Sequence, residues 1–281
     1  MENKRILVVG GTGYIGQSLV SCLLRYNYEV SLLLRRKAKN DLNKINYYFG
    51  DVLHKKTLYE AAKNIDAVIY LASVIRTWNK KKYQENSAGL RNMIDVMKER
   101  GVKKLIYFSS INAAIEQTGN YGDSKKACEK IVMNSRLDYM IVRPNYVYGI
   151  DKRNDFYKFY SLIKKIHIFP IIGNGENKFE PINKDDVSEL IVKLLKNWQS
   201  KKLIYLSGKQ KISLNGFAGM IKKISNKKFI SVHFPIRSLQ PFKKILPLDL
   251  DGIDQDRVAQ GETLYGGADI KEDLQKIIKL I

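Results

Sequence analysis

Acidic side chains are in short supply in this sequence. It has 28 Asp and Glu against 49 Lys and Arg, a formal net charge of +21. Cysteine is scarcer still. Cys22 and Cys128 are the only two. Both fall in segments with helical periodicity, and neither has metal-ligand or redox spacing. A disulfide-stapled scaffold is therefore excluded, and a reduced, cytoplasmic setting is expected. The three histidines, His54, His167 and His233, are isolated from one another and read as structural or surface groups, so no metal site is expected. No apolar run approaches the ~20 residues of a membrane-spanning helix. The amino terminus passes straight into a strand, so no signal peptide is expected either.

What is present is a chain long enough, at 281 residues with 44% hydrophobic and 27% charged, to bury a substantial core. The lysines are spread along it in pairs and triplets, such as Lys80-Lys81-Lys82 and Lys222-Lys223. They form no single stripe and are not interleaved with aromatics as in an RNA-binding sheet, so nucleic acid is not an expected partner. Membrane contact is expected to be weak and peripheral at most. A positive surface does favour the approach of an anionic small-molecule substrate.

The chain is organised around its first thirty-five residues. Arg5 to Gly10 is a continuous apolar run, as in a strand buried on both faces. Gly10-Gly-Thr-Gly13-Tyr14-Ile15-Gly16 follows, then a helical pattern to Tyr26 and a second strand from Glu29 to Leu34. Strand, glycine turn, helix and strand make a dinucleotide-binding βαβ unit. Gly10 permits the sharp turn, Gly13 lets the pyrophosphate approach the backbone, and Gly16 lets helix and strand pack closely. The phosphates belong at the helix amino end, on its unpaired N–H groups. Where an NAD site usually places an acidic residue, this chain has Arg35 and Arg36. They suit a 2′-phosphate and point to NADP(H), with NAD(H) as the alternative. Solvated surface is the other reading of both arginines.

The βα alternation continues with strands at Ile45–Gly50, Asp66–Ala72, Lys104–Ser109 and Tyr139–Arg143, a short helix at 55–63 and a long one at 82–100. Phe108-Ser109-Ser110 ends the fifth strand, and Tyr121-Gly-Asp-Ser-Lys125 opens the next helix. Tyr-x-x-x-Lys also occurs at Tyr59, Tyr148, Tyr160 and Tyr205, so the motif alone carries little. Tyr121 alone lies between a strand ending in Ser-Ser and the helix leading to the sixth strand. Tyr and Lys four apart share a helix face.

With Gly-x-x-Gly-x-x-Gly at 10–16, Ser110, Tyr121/Lys125 and Arg143-Pro144-Asn-Tyr-Val-Tyr-Gly149, the chain resembles the short-chain dehydrogenase/reductase superfamily in its extended and atypical branch. The resemblance implies an α/β fold: a Rossmann-like, doubly wound parallel sheet with a small C-terminal substrate lobe. It implies Tyr121 as acid/base, Lys125 lowering its pKa and binding the nicotinamide ribose, and Ser110, in preference to Ser109, holding the substrate carbonyl. Asn86, in Asn-Ser-Ala-Gly-Leu-Arg-Asn, matches the Asn that positions the lysine through water. Asp51, with Val52, matches an adenine contact, a turn or cap carboxylate being the other reading. Leu71, Ala72 and Ser73 match a small-residue stretch along the cofactor, and Pro144 fixes the chain beside the nicotinamide.

Two departures bear on the substrate. Only eleven positions separate Ser110 from Tyr121, and Phe179 stands where nucleotide-sugar enzymes tend to carry a diphosphate-binding Arg. Phe-Glu-Pro-Ile at 179–182 looks closer to the group that includes the Rossmann-type accessory subunit of respiratory complex I. The expectation is an NADP(H)-dependent oxidoreductase acting on a carbonyl or alcohol carbon. The alternatives are a nucleotide-sugar epimerase or dehydratase and a non-catalytic cofactor-binding assembly subunit. Residues 1–150 are expected to form the cofactor domain and 151–281 the lobe, with 185–198 and 202–206 returning to the sheet. Monomer and homodimer are both open.

Overall fold

The computed structural model describes residues 4–36, 44–75, 77, 79–239 and 254–280. Through the first half of the chain the strands are β1 (Arg5–Val9), β2 (Glu29–Leu34), β3 (Ile45–Phe49), β4 (Ala67–Tyr70), β5 (Lys104–Phe108), β6 (Asp138–Pro144) and β7 (Val147–Tyr148). The second half adds β8 (Ile168–Ile172), β9 (Lys178–Phe179), β10 (Ile182–Asn183), β11 (Lys202–Ser207), β12 (Ile212–Ser213), β13 (Ile230–Phe234) and β14 (Thr263–Tyr265). The helices are α1 (Tyr14–Arg25), α2 (Gln84–Glu99), α3 (Gly119–Met133), α4 (Asp155–Ile166), α5 (Lys184–Lys196), α6 (Leu214–Ser225), α7 (Ile236–Leu239) and α8 (Ile270–Lys279).

Eight strands form one sheet in the order β14-β11-β6-β5-β4-β1-β2-β3, every neighbouring pair parallel. The unbroken apolar run of β1 follows from this position. Ile6 and Val8 face a core built with Leu19 and Leu23 of α1 and Val187 and Ile191 of α5. Leu7 and Val9 face the opposite core, with Leu90 and Met97 of α2 and Cys128 of α3. A third core lies in the lobe, where Tyr148, Phe156, Phe169 and Phe217 pack against Leu274 and Ile277 of α8. Strand order reverses direction between β1 and β4, which opens a crevice at their carboxyl ends.

Several local expectations are revised. The helix expected at 55–63 is a 3-10 turn over Lys55–Leu58 followed by further turns. Thr57 explains this: its hydroxyl bonds the carbonyls of Asp51 and His54 and accepts from the Asp51 N–H, drawing the backbone off an α-helical path. The helix expected from Lys82 begins with a 3-10 turn at Lys80–Tyr83, capped by Asn79, before α2 starts at Gln84. A final helix is also read from the sequence over Asp269 to Ile281; in the structure it starts after its cap, Asp269, and Ile281 lies outside the described residues. The eighth sheet strand, β14, has only three residues, too few for a readable alternation.

Candidate active site

The glycine turn sits at the crevice. Gly10 has φ +91°, a conformation that side chains resist, and a Cβ there would lie 2.8 Å from the Ala72 nitrogen. Gly16 packs so tightly that a Cβ would lie 2.7 Å from Gly11 Cα, whereas the position of a Cβ on Gly13 meets only the Gly10 carbonyl, at 3.2 Å. Helix α1 begins here with no side-chain cap and no acidic residue in its first turn. An uncapped amino end with no acidic residue in its own first turn, beside an exposed glycine, fits a phosphate-bearing cofactor. Ile15 packs into the first core. The Tyr14 ring turns towards the chain after β7, with Lys184 Nζ 5.0 Å and the Arg153 guanidinium 5.6 Å from its centroid. That leaves its backbone as the part facing the turn. Leu71 and Ala72 both donate to the Val9 carbonyl, so the ends of β1 and β4 are joined where the turn begins. The Ser73 hydroxyl bonds the Val74 carbonyl.

Arg35 and Arg36 stand exposed beyond β2, and no hydrogen bond or ion pair among the described residues engages either. One Asp51 carboxylate oxygen accepts from the Leu53 N–H at 2.9 Å, the geometry of a turn carboxylate. The Val52 carbonyl accepts from Asn92 at 2.8 Å, and Gly89 makes room for the Val52 side chain against α2.

At the end of β5, Ser110 caps the 3-10 turn Ile111–Ala113, its Oγ accepting from the Asn112 N–H at 3.2 Å. The phenol of Tyr121, in the first turn of α3, lies near enough to this hydroxyl for Ser110 to draw its pKa down. Lys125 is buried, its Nζ 2.8 Å from the Phe108 carbonyl and 5.8 Å from the Tyr121 ring centroid. The electrostatics run opposite to the sequence expectation for this pair. Burial pushes the Tyr121 phenol up to about 12, and the nearby Ser110 hydroxyl only partly offsets this. Burial pushes the Lys125 ammonium down to about 8. Pro144 ends β6 in register with Leu206.

Asn86 is buried, and its amide is bonded to Val74 and Ser124. It accepts from the Val74 N–H at 2.7 Å and donates to the Val74 carbonyl and to Ser124 Oγ. Ser124 in turn donates to the Tyr121 carbonyl at 2.8 Å. Asn86 thus ties the segment after β4 to the first turn of α3.

Sequence reading missed the buried support beneath this pair. Glu129, one turn beyond Lys125, accepts two bonds from the Arg143 guanidinium, at 2.8 and 2.7 Å, and one from Ser109. Arg143 also donates to the Tyr205 hydroxyl. Its motif position and the spacing of four from Lys125 to Glu129 were the available signals. Nothing in the sequence pointed to the strap at 255–259. There Gln255 accepts from the N–H groups of Glu116 and Gln117, Arg257 Nε donates to Asn112, and the Ala259 N–H donates to buried Glu180. The strap lies across the 3-10 turn that carries Ser110. Among the described residues no cluster of side chains could hold a metal ion.

Residues 10–197 match the NAD(P)H-binding family. The human sterol-4-alpha-carboxylate 3-dehydrogenase, decarboxylating, is 35% identical over 117 residues, 41% of this chain and 31% of its own length. The N-acetyl-alpha-D-glucosaminyl-diphospho-ditrans,octacis-undecaprenol 4-epimerase of Escherichia coli O157:H7 is 24% identical over 262 residues, covering 83% of this chain and 76% of that one. The chain therefore spans only about a third of the sterol dehydrogenase but most of the epimerase. MoeE5, solved in complex with UDP-glucuronic acid and NAD, shares the fold over 98% of both chains, with a TM-score of 0.75 at 17% identity. With its glycine turn at the head of an eight-stranded parallel sheet, the chain belongs to the NAD(P)H-binding family.

Proposed function

We propose that this chain is an NADP(H)-dependent oxidoreductase that interconverts a carbonyl and an alcohol. The observation that carries the reading is the placing of Tyr121 beside buried Lys125, whose Nζ lies 5.8 Å from the phenol ring centroid and bonds the Phe108 carbonyl at the end of β5, two residues before Ser110, on the edge of the sheet that also bears the glycine turn. Gly10, Gly13 and Gly16 with the amides of Tyr14 and Ile15 would hold the pyrophosphate. Arg35 and Arg36 would hold a 2′-phosphate, Asp51 and Val52 the adenine side, and Leu71, Ala72, Ser73 and Pro144 the nicotinamide side. When bound, the nicotinamide supplies or accepts the hydride. Ser110 donates a hydrogen bond to the substrate oxygen, and Tyr121 exchanges a proton with it. A phenol held up near 12 is protonated at neutral pH, the form that can donate to a substrate carbonyl oxygen. Lys125, while charged, stabilises the phenolate left behind.

A second reading is favoured by the full-length likeness to enzymes of sugar nucleotides and lipid-linked sugars. The same residues would then support nucleotide-sugar epimerisation or dehydration through a transient ketone, with NAD(H) as cofactor. Following nicotinamide absorbance with NADPH and NADH against carbonyl compounds and keto-sugar nucleotides separates the two. Net cofactor turnover that Tyr121→Phe abolishes supports the reductase. Interconversion of two sugar epimers without net cofactor turnover supports the second reading, and no cofactor binding overturns both.

A further inference from the structure

Lysine is spread evenly along this chain, but carboxylates are not. Phe156–Gly175 and Leu214–Leu239 contain no Asp or Glu. The fold brings these two acid-free stretches together. Helix α4 ends at Ile166, His167 closes it in the left-handed conformation, and β8 starts at Ile168, whose Cα pairs with that of Ile230 in β13. The Ile230 N–H donates to the His167 carbonyl at 3.0 Å. Ile230 is 70% exposed, Leu162 47%, Ile166 46% and Ile168 38%. Leu162 lies one helical turn before Ile166, so the four aliphatic side chains belong to one region of the lobe surface. Lys165, Lys227 and Lys228 flank them in sequence, and all three are exposed.

Bare aliphatic side chains on a short exposed sheet are a liability unless something covers them. We propose that this face of the lobe docks on an anionic membrane surface. The four aliphatic residues enter the headgroup boundary, and Lys165, Lys227 and Lys228 meet lipid phosphates. Exposed aliphatic residues flanked by lysines, on two stretches that themselves contain no carboxylate, are the composition that interfacial anchoring needs. A nucleic acid would satisfy the lysines but leave the aliphatic centre bare, since single strands are held by basic and aromatic groups. The docking is independent of the proposed chemistry, because it needs neither cofactor nor turnover.

The test is co-sedimentation of the full chain with vesicles of phosphatidylcholine alone and of phosphatidylcholine mixed with phosphatidylglycerol, at low and physiological salt. The expected result is binding to the anionic vesicles only, weakening as salt rises. The double variants Ile166→Ser/Ile230→Ser and Lys227→Glu/Lys228→Glu should each lower the partition coefficient about tenfold or more, with melting temperature and cofactor binding unchanged. A control pair on the opposite half of the chain, Lys56→Glu/Lys63→Glu, should leave it unchanged. Failure to bind anionic vesicles overturns the proposal, and so does an equal loss in the control pair, which would mean diffuse charge. A dimer abolished by Ile230→Ser without vesicle binding would assign the face to a second copy. Tighter binding to a single-stranded RNA probe than to vesicles would assign it to nucleic acid. Loss of the oxidoreductase reading would leave the vesicle result untouched.

Discussion

Ser109 and Ser110 are adjacent in the chain, yet they are turned to different machinery. Ser109 donates to buried Glu129, while Ser110 lies near the Tyr121 phenol. Consecutive side chains on extended backbone leave on opposite sides, so one serine is drawn into the packing beneath α3 and the other into the crevice. Single substitutions should separate the two. Ser109→Ala removes a bond from a buried carboxylate and should cost about 1–2 kcal/mol, lowering the melting temperature by a few degrees. Ser110→Ala removes the cap of the 3-10 turn, costing about 1 kcal/mol, and should in addition lower turnover about 10- to 1,000-fold, a loss that Ser109→Ala should not show. Paired melting and steady-state measurements check both.

Tyr121→Phe removes the proton donor and little else. Turnover should fall about 100- to 10,000-fold while the dissociation constant for cofactor, measured by fluorescence titration, stays within about twofold.

Lys125 gives a prediction in pH. Its folded value of about 8 lies below the ordinary lysine value of 10.5, because burial disfavours the charge. Below about pH 8 the buried ammonium costs stability in full. Between about 8 and 10.5 the folded state has shed a proton that the unfolded chain still binds, so stability contributed by this site rises with pH. Lys125→Met should therefore raise stability at pH 7 by about 1–3 kcal/mol, lack that rise, and lose most turnover. Chemical denaturation of both proteins at pH 7 and pH 10 measures the difference.

Arg35→Glu should weaken NADPH binding about 10- to 100-fold, the worth of a charge-assisted bond to phosphate, and leave NADH binding nearly unchanged. Equal losses for both cofactors would remove Arg35 from the 2′-phosphate site.

How much of this was legible in the sequence depended on distance along the chain. The βαβ unit was readable because a strand buried on both faces must be apolar without a break, and because close backbone approach leaves only glycine at Gly10 and Gly16. Ser110, Tyr121 and Lys125 were readable because they follow one another on consecutive elements. The partners of Asn86 were not, since Ser124 is an ordinary residue of a different helix. Neither was the strap, because Arg257 meets Asn112 across 145 residues and no local periodicity records such a meeting. The basic lobe face was hidden by the even spread of lysine. The asymmetry lay in the missing carboxylates.

The place of β11 in the sheet bears on how the molecule can be cut. The main chain of β6 is paired on one side by β5 and on the other by β11, from Lys202 to Leu206. β14 adds a further strand outside β11, and α8, which follows it, fills the lobe core. A fragment ending near residue 150 would present the bare edge of β6 to solvent and uncover the side of α1 that α5 shields. Such a fragment should aggregate by edge pairing, and the full chain should melt in a single cooperative transition.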